Sequence, residues 1–174
     1  VKMYIHANSD APDGELYAFL RLGNDPDQNY YEIAIPLKVS DPLSYEAGEV
    51  WPLANEIDIA LDELYALKVE RDRNNFSLSQ SYPLEGPRQV GKHLIRIFGR
   101  PDLAGVRSIL IGVRNPQTID QRSYRICLWA NELRLTDFNR KAGYAVNTAL
   151  SLKLADFATV SGVLRYNTFG FGNI

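Results

Sequence analysis

Apolar and polar residues alternate with period two along much of this 174-residue chain. Leu16-Tyr17-Ala18-Phe19-Leu20-Arg21-Leu22 is one such run, bounded by Asp13-Gly14 and by Gly23-Asn24-Asp25-Pro26, and Tyr30 to Leu37 is a second. Successive side chains of a strand point to opposite faces, so both runs predict strands. The link between them is polar and longer than a two-residue turn. A hairpin of the two therefore takes its register from side-chain burial rather than from turn geometry. Further strands are predicted over His93 to Phe98, Val106 to Arg114, and Tyr124 to Trp129 leading into Leu133-Arg134-Leu135. Between the first two of these, Arg100-Pro101-Asp102-Leu103-Ala104-Gly105 is turn chemistry.

One stretch changes period. Pro42 to Pro52, with Gly48 and two prolines, reads as a loop, and a helix is predicted after it with Asn55 as cap. Glu56, Asp58 and Asp62 lie in its early turns and Lys68, Arg71 and Arg73 near its end, the order that suits the helix dipole. Ile57, Ala60, Leu61, Leu64, Leu67 and Lys68 recur at three and four, one apolar stripe to pack on a sheet. The mixed charges Lys68, Glu70, Arg71, Asp72 and Arg73 read as a solvated face. Residues 74–92, holding Pro83, Gly86, Pro87 and Gly91, read as irregular. Many short strands and a single helix predict a mainly β fold, an antiparallel jelly-roll-like sandwich.

The last part of the chain alternates more cleanly. Tyr144, Val146, Thr148, Leu150, Leu152 and Leu154 share one face, with Ala145, Asn147, Ala149, Ser151 and Lys153 on the other. After a turn at Ala155-Asp156-Phe157-Ala158, the run Thr159 to Tyr166 alternates again. The reading is a sandwich domain over 1–138 and a C-terminal β-hairpin over 139–174. Membrane β-strands need about 9–11 residues, which both arms match. A soluble hairpin laid on the sandwich matches equally.

Composition narrows the function classes. A net charge of −2 and a pI near 5.7, with Lys and Arg dispersed, exclude a basic stripe that tracks nucleic-acid phosphates. Ten tyrosines suit sheets with one wet face. The single cysteine, Cys127, excludes an internal disulfide and reads as a small buried hydrophobe in Arg125-Ile126-Cys127-Leu128-Trp129. No basic-then-apolar leader and no apolar run of about 20 residues is present. Starting on Val1 and ending on Phe169-Gly170-Phe171-Gly172-Asn173-Ile174, the chain reads as a segment of something longer.

Candidate chemistry is sparse. His6 and His93 are isolated within strand-like runs, without converging partners for a metal or a catalytic pair. Asp25-Pro26-Asp27-Gln28-Asn29 offers oxygens for a structural calcium ion, although its spacing departs from the EF-hand loop, and a plain polar turn is the simpler reading. Glu132 is the carboxylate in the most conspicuous setting. A glycosidase would need a second carboxylate across the sugar, and none can be nominated. With no nucleophile elbow, phosphate loop or zincin helix either, the expectation is no enzyme, no cofactor and no catalytic residue.

The Glu132 stretch carries a resemblance. Ile126-Cys127-Leu128-Trp129-Ala130-Asn131-Glu132-Leu133-Arg134-Leu135-Thr136-Asp137-Phe138, followed by Lys153-Leu154-Ala155-Asp156-Phe157, resembles the SprA/Sov family of giant outer-membrane β-barrel proteins. Arg21-Leu22-Gly23-Asn24-Asp25 with Asn29-Tyr30-Tyr31-Glu32, Val50-Trp51-Pro52 with Asn55-Glu56-Ile57, and Val106 to Asn115 resemble the same family, in order, over roughly residues 16–174. Asn131-Glu132-Leu133-Arg134-Leu135 is also similar to the closing strand of galactose-binding-like jelly rolls. The first resemblance implies a non-catalytic domain of the type IX secretion translocon, related to gliding motility. It also implies an outer-membrane location and, as partners, the rest of a larger chain, secretion accessory proteins and exported proteins. A partner-binding face calls for exposed aromatics, and Tyr30, Tyr31 and Trp51 are the candidates; filling the core is their other reading. The alternative function is a carbohydrate-binding module of a cell-surface protein.

Overall fold

The computed structural model describes residues 1–41, 43–119, 121–136 and 144–167. In chain order the elements are β1 (Lys2–Ser9), β2 (Tyr17–Asp25), β3 (Asn29–Pro36), α1 (Ala47–Val50), β4 (Ile57–Asp58), α2 (Leu61–Arg73), β5 (Arg88–Val90), β6 (His93–Phe98), β7 (Ser108–Arg114), β8 (Ile126–Arg134), β9 (Ala145–Leu154) and β10 (Ala158–Asn167). A 3-10 turn at Leu53–Asn55 joins α1 to β4. Contacts divide the chain into Val1–Thr136 and Asp137–Ile174. The boundary expected between residues 138 and 139 falls outside the described residues, as do Pro42 and the C-terminal residues 168–174.

The first unit is the expected antiparallel sandwich. Its described strands form one sheet ordered β4-β1-β8 and another ordered β5-β6-β3-β2-β7. The chain crosses between sheets after β1, β3, β4 and β7, in the manner of a jelly roll. Alternation decides what faces inward. Met3, Ile5 and Ala7 of β1 and Ala18, Leu20 and Leu22 of β2 join Ile33 and Ile35 of β3 and Ile95 and Ile97 of β6 in one core. At about 1.5–3 kcal/mol for each fully buried aliphatic side chain, this core is the main source of stability.

The hairpin β2–β3 runs from Tyr17 opposite Pro36 to Asp25 opposite Asn29. β6 matches its predicted span, and the strand predicted from Val106 begins at Ser108. Several readings need correction. The helix starts at Leu61, not after Asn55. Asn55 instead lies buried, its side-chain oxygen accepting the Lys38 N–H and its amide donating to the Lys38 carbonyl, both at 2.7 Å. Residues such as Asn cap helices because they bind backbone readily, and here that capacity serves another segment. Ile57 then pairs with Met3 as β4. The loop before Pro52 holds the single turn α1, and the irregular stretch 74–92 holds β5, which pairs with β6 across Gly91-Lys92.

The charge cluster at the end of α2 is not wholly solvated. Arg71 is fully buried, extending the stripe of Leu64 and Leu67. Its guanidinium donates to the Gly99 carbonyl and pairs with Asp72 at 2.8 Å. Gly99 has φ +67 and lies so close to the Gln28 carbonyl that a Cβ there would collide with it. Cys127 is exposed, not buried. Ile126 and Leu128 take the inward positions of β8, so period two turns Cys127 out, where the Trp129 indole N–H donates to its Sγ at 3.0 Å.

In the second unit β9 and β10 pair antiparallel from Ala145 opposite Asn167 to Leu154 opposite Ala158. The turn between them is closed by the Phe157 N–H donating to the Leu154 carbonyl at 3.0 Å, with Ala155 at φ +45.

Candidate functional site

The outward face of the five-stranded sheet is the most built polar feature of the sandwich. Tyr17, Phe19 and Arg21 of β2 point away from the core, and register sets Glu32 of β3 opposite both Arg21 and Arg96 of β6. Arg114 reaches the same carboxylate from β7. Arg21 Nε donates to Glu32 Oε2 at 2.9 Å, while Arg96 Nη2 and Arg114 Nη2 both lie 2.7 Å from Oε1. The Glu32 side chain is only 2% exposed. Burial alone would raise its carboxyl, but hydrogen bonds from Arg114 and Arg21 and the charge of Arg96 outweigh it and hold the group below its ordinary value.

Rings pave the rest of this face. Tyr30 stacks on Phe98 with centroids 5.8 Å apart and planes 11° apart, and the Arg21 guanidinium lies 4.1 Å from the Tyr30 centroid. Arg21 and Arg114 flank Phe19 at 5.2 and 5.3 Å. Phe19 lies across β7 onto Gly112, its direct cross-strand partner; a side chain at 112 would displace the ring. Sequence reasoning passed over this cluster. Its trace was there: Glu32 is the one charge inside an apolar run, and strands predicted on either side carry arginines. Only the pairing order brings those arginines to one carboxylate.

A second feature lies on the outward face of the three-stranded sheet. Tyr4, Ala47, Trp51, Asn131 and Glu132 line a shallow cleft of about 290 Å³. Here β8 carries a bulge: Tyr4 faces Asn131 and Lys2 faces Arg134, so Met3 alone opposes Glu132 and Leu133, and Glu132 takes φ +55. Glu132 is exposed, with Arg134 Nη1 at 3.5 Å. Glu132 is thus a carboxylate on an edge strand, paired to an arginine of the same strand.

The three aromatic candidates do not converge. Tyr31 is in the core at 1% exposure, near Arg71, and burial pushes its phenol up to about 12. Tyr30 lies under Arg21 on the outward face of the other side of β3. Trp51 is half-buried, 5.9 Å from the His6 ring. Both histidines bind backbone of neighbouring elements: His6 Nδ1 meets the Val50 carbonyl at the end of α1 at 2.7 Å, and His93 Nε2 accepts the Asp58 N–H of β4 at 3.0 Å. Burial lowers the His93 pKa, with the nearby Lys92 charge adding to it against the Val90 hydrogen bond.

The acidic turn is closed by its own side chain, Asp25 Oδ1 accepting the N–H groups of Asp27 and Gln28. Among the described residues no cluster of three or more His, Cys, Asp or Glu is placed to hold a metal ion.

Comparison with known families settles the lineage. The SprA_N profile, described as motility related/secretion protein, matches residues 1–174. The chain belongs to the SprA_N family. Comparison with curated proteins returned no match. The SprA_N description names motility and secretion.

Proposed function

We propose that the chain is a non-catalytic structural and interaction segment of an outer-membrane protein-export channel, related to type IX secretion and gliding motility. The sandwich presents docking faces outside the bilayer, and the hairpin β9–β10 supplies strands of a membrane barrel. Its partners are then the remainder of a larger chain, accessory proteins and exported proteins.

The observation that carries this reading is the hairpin's register. It sets Val146 opposite Tyr166, Leu150 opposite Gly162, Leu152 opposite Val160 and Leu154 opposite Ala158, all on one face. The other face pairs Asn147 with Arg165, Ser151 with Ser161 and Lys153 with Thr159; Val163, opposite Ala149, is its one large apolar side chain. Each strand has ten residues, within the length that crosses a bilayer at the usual tilt. Exposed aromatics stand at both ends, Tyr144 and Tyr166 at one and Phe157 at the turn, where barrels place their interfacial girdles. No helix of the described residues is long and apolar enough to cross a membrane, so a crossing would use strands.

Cysteine scanning tests this in outer-membrane preparations from cells making the protein, with Cys127→Ser as background. Probes at 150, 152 and 154 should be quenched by lipid-borne quenchers, and probes at 147, 151 and 153 by aqueous ones. Equal aqueous quenching at all six positions would refute the barrel assignment.

The carbohydrate-binding alternative draws on the cleft beside Trp51, where Tyr4 and Trp51 adjoin the amide of Asn131 and the carboxylate of Glu132. Retention on glycan resins that Trp51→Ala abolishes would favour it.

A further inference from the structure

We infer that the outward face of the five-stranded sheet is a docking surface for an acidic, extended peptide segment, whose carboxylate seats on Arg96 and Arg114 above Glu32. This inference does not rest on the membrane assignment of the hairpin.

Charge is the first argument. Three guanidiniums meet the buried Glu32 carboxylate, with Asp27 beside Arg21, which leaves an excess of one positive charge on one face of a chain whose net charge is −2. The arginines are not equally committed. Arg21 holds Glu32 Oε2, donates to the Pro26 carbonyl at 2.8 Å and lies 3.9 Å from Asp27. Arg96 and Arg114 share the single oxygen Oε1, and Arg96 Nε is a buried donor without a partner. Their side chains are 25% and 36% exposed, so both remain open to solvent beside the carboxylate they share. A second carboxylate bridging them forms charge-assisted hydrogen bonds while Glu32 offsets part of the like-charge repulsion beneath.

Ring geometry argues for a peptide over a sugar. A sugar platform needs a free ring face, yet Tyr30 is covered by Phe98 and Arg21, and Phe19 is flanked by two guanidiniums. The recessed arginines suit a carboxylate carried on a side chain that reaches down. Alternate residues of an extended peptide, about 6.5–7 Å apart, repeat that reach along the face.

The test uses the 174-residue chain in neutral detergent with a fluorescent hexaglutamate peptide, followed by anisotropy. Hexaglutamine and polygalacturonate serve as competitors, and thermal unfolding verifies each variant. Binding should be competed by unlabelled hexaglutamate and not by hexaglutamine. It should weaken about tenfold or more in Arg114→Gln and be unchanged in Lys153→Gln, a positive charge in the other unit. Should Arg114→Gln not fold, Arg114→Lys keeps the charge, loses the fork and should weaken binding severalfold. No hexaglutamate binding, or binding indifferent to both Arg114 variants, overturns the inference. Binding of fluorescently labelled polygalacturonate to a chain that does not bind hexaglutamate assigns an acidic glycan instead and overturns the peptide assignment.

Discussion

The sandwich and the hairpin share one sequence pattern and put it to opposite uses. On β2, Leu20 and Leu22 are 0% and 6% exposed. On β9, Leu150, Leu152 and Leu154 are 59%, 51% and 55% exposed. Period two states that a strand has an apolar face; it does not state what covers that face. In the first unit the cover is the chain itself, through the opposing sheet and α2. In the second, the register aligns the apolar positions of both strands and the described residues of that unit leave them open. An isolated two-stranded ribbon is marginal in water at best. Such a hairpin calls for a surrounding medium or further strands, which the proposed barrel would supply.

Breaking this comparison starts with the same substitution in both regions. Leu20→Asp places an unpaired charge in the core and should unfold the sandwich, a loss of about 4 kcal/mol or more in denaturant titration. Leu152→Asp should leave sandwich unfolding within about 0.5 kcal/mol and instead deplete the protein from membranes. Equal destabilisation by the two would mean that β9 is buried against protein.

Glu32→Gln is next. It leaves three arginines on one face without their counter-charge, and removing one partner of a buried pair typically costs about 3–5 kcal/mol. Asn55→Ala follows. It strips both backbone groups of Lys38 of their partner and should cost about 1–3 kcal/mol by thermal melting, with α2 intact by circular dichroism.

The smallest effect is a pH dependence confined to the sandwich. His93 has a folded pKa below its ordinary 6.5, so the native state favours the neutral ring. Its contribution is complete above pH 6.5 and declines as pH falls, because the unfolded chain takes up the proton first. Glu32 has a folded pKa below 4.5, so its contribution persists above that value and is lost as pH falls through the folded value. Stability measured against pH should fall in two stages, with His93→Gln removing only the upper one and Glu32→Gln only the lower.

Particular residues show why some of this was legible in the sequence and some was not. Alternation located β3, β6, β9 and β10 to within a residue and β2 to within three, because burial on one face is a local demand. Asn55 misled, since one side chain serves equally as a helix cap or as a clamp on a distant backbone. Arg71 misled because a guanidinium can follow a leucine stripe into the interior when a carbonyl such as that of Gly99 waits there. The Glu32 cluster depends on strand order β6-β3-β2-β7, which no local pattern encodes. Cys127 and Trp129 were readable from parity alone, once Ile126 and Leu128 were assigned inward.

Amide hydrogen exchange tests the central claim most directly, comparing the chain in water with the protein in outer-membrane preparations. The account predicts that β1, β2, β3 and β6 are protected in both settings, while β9 and β10 exchange freely in water and become protected in the membrane. Strong protection of β9 and β10 in water would contradict it, since the hairpin would then have its cover within the chain.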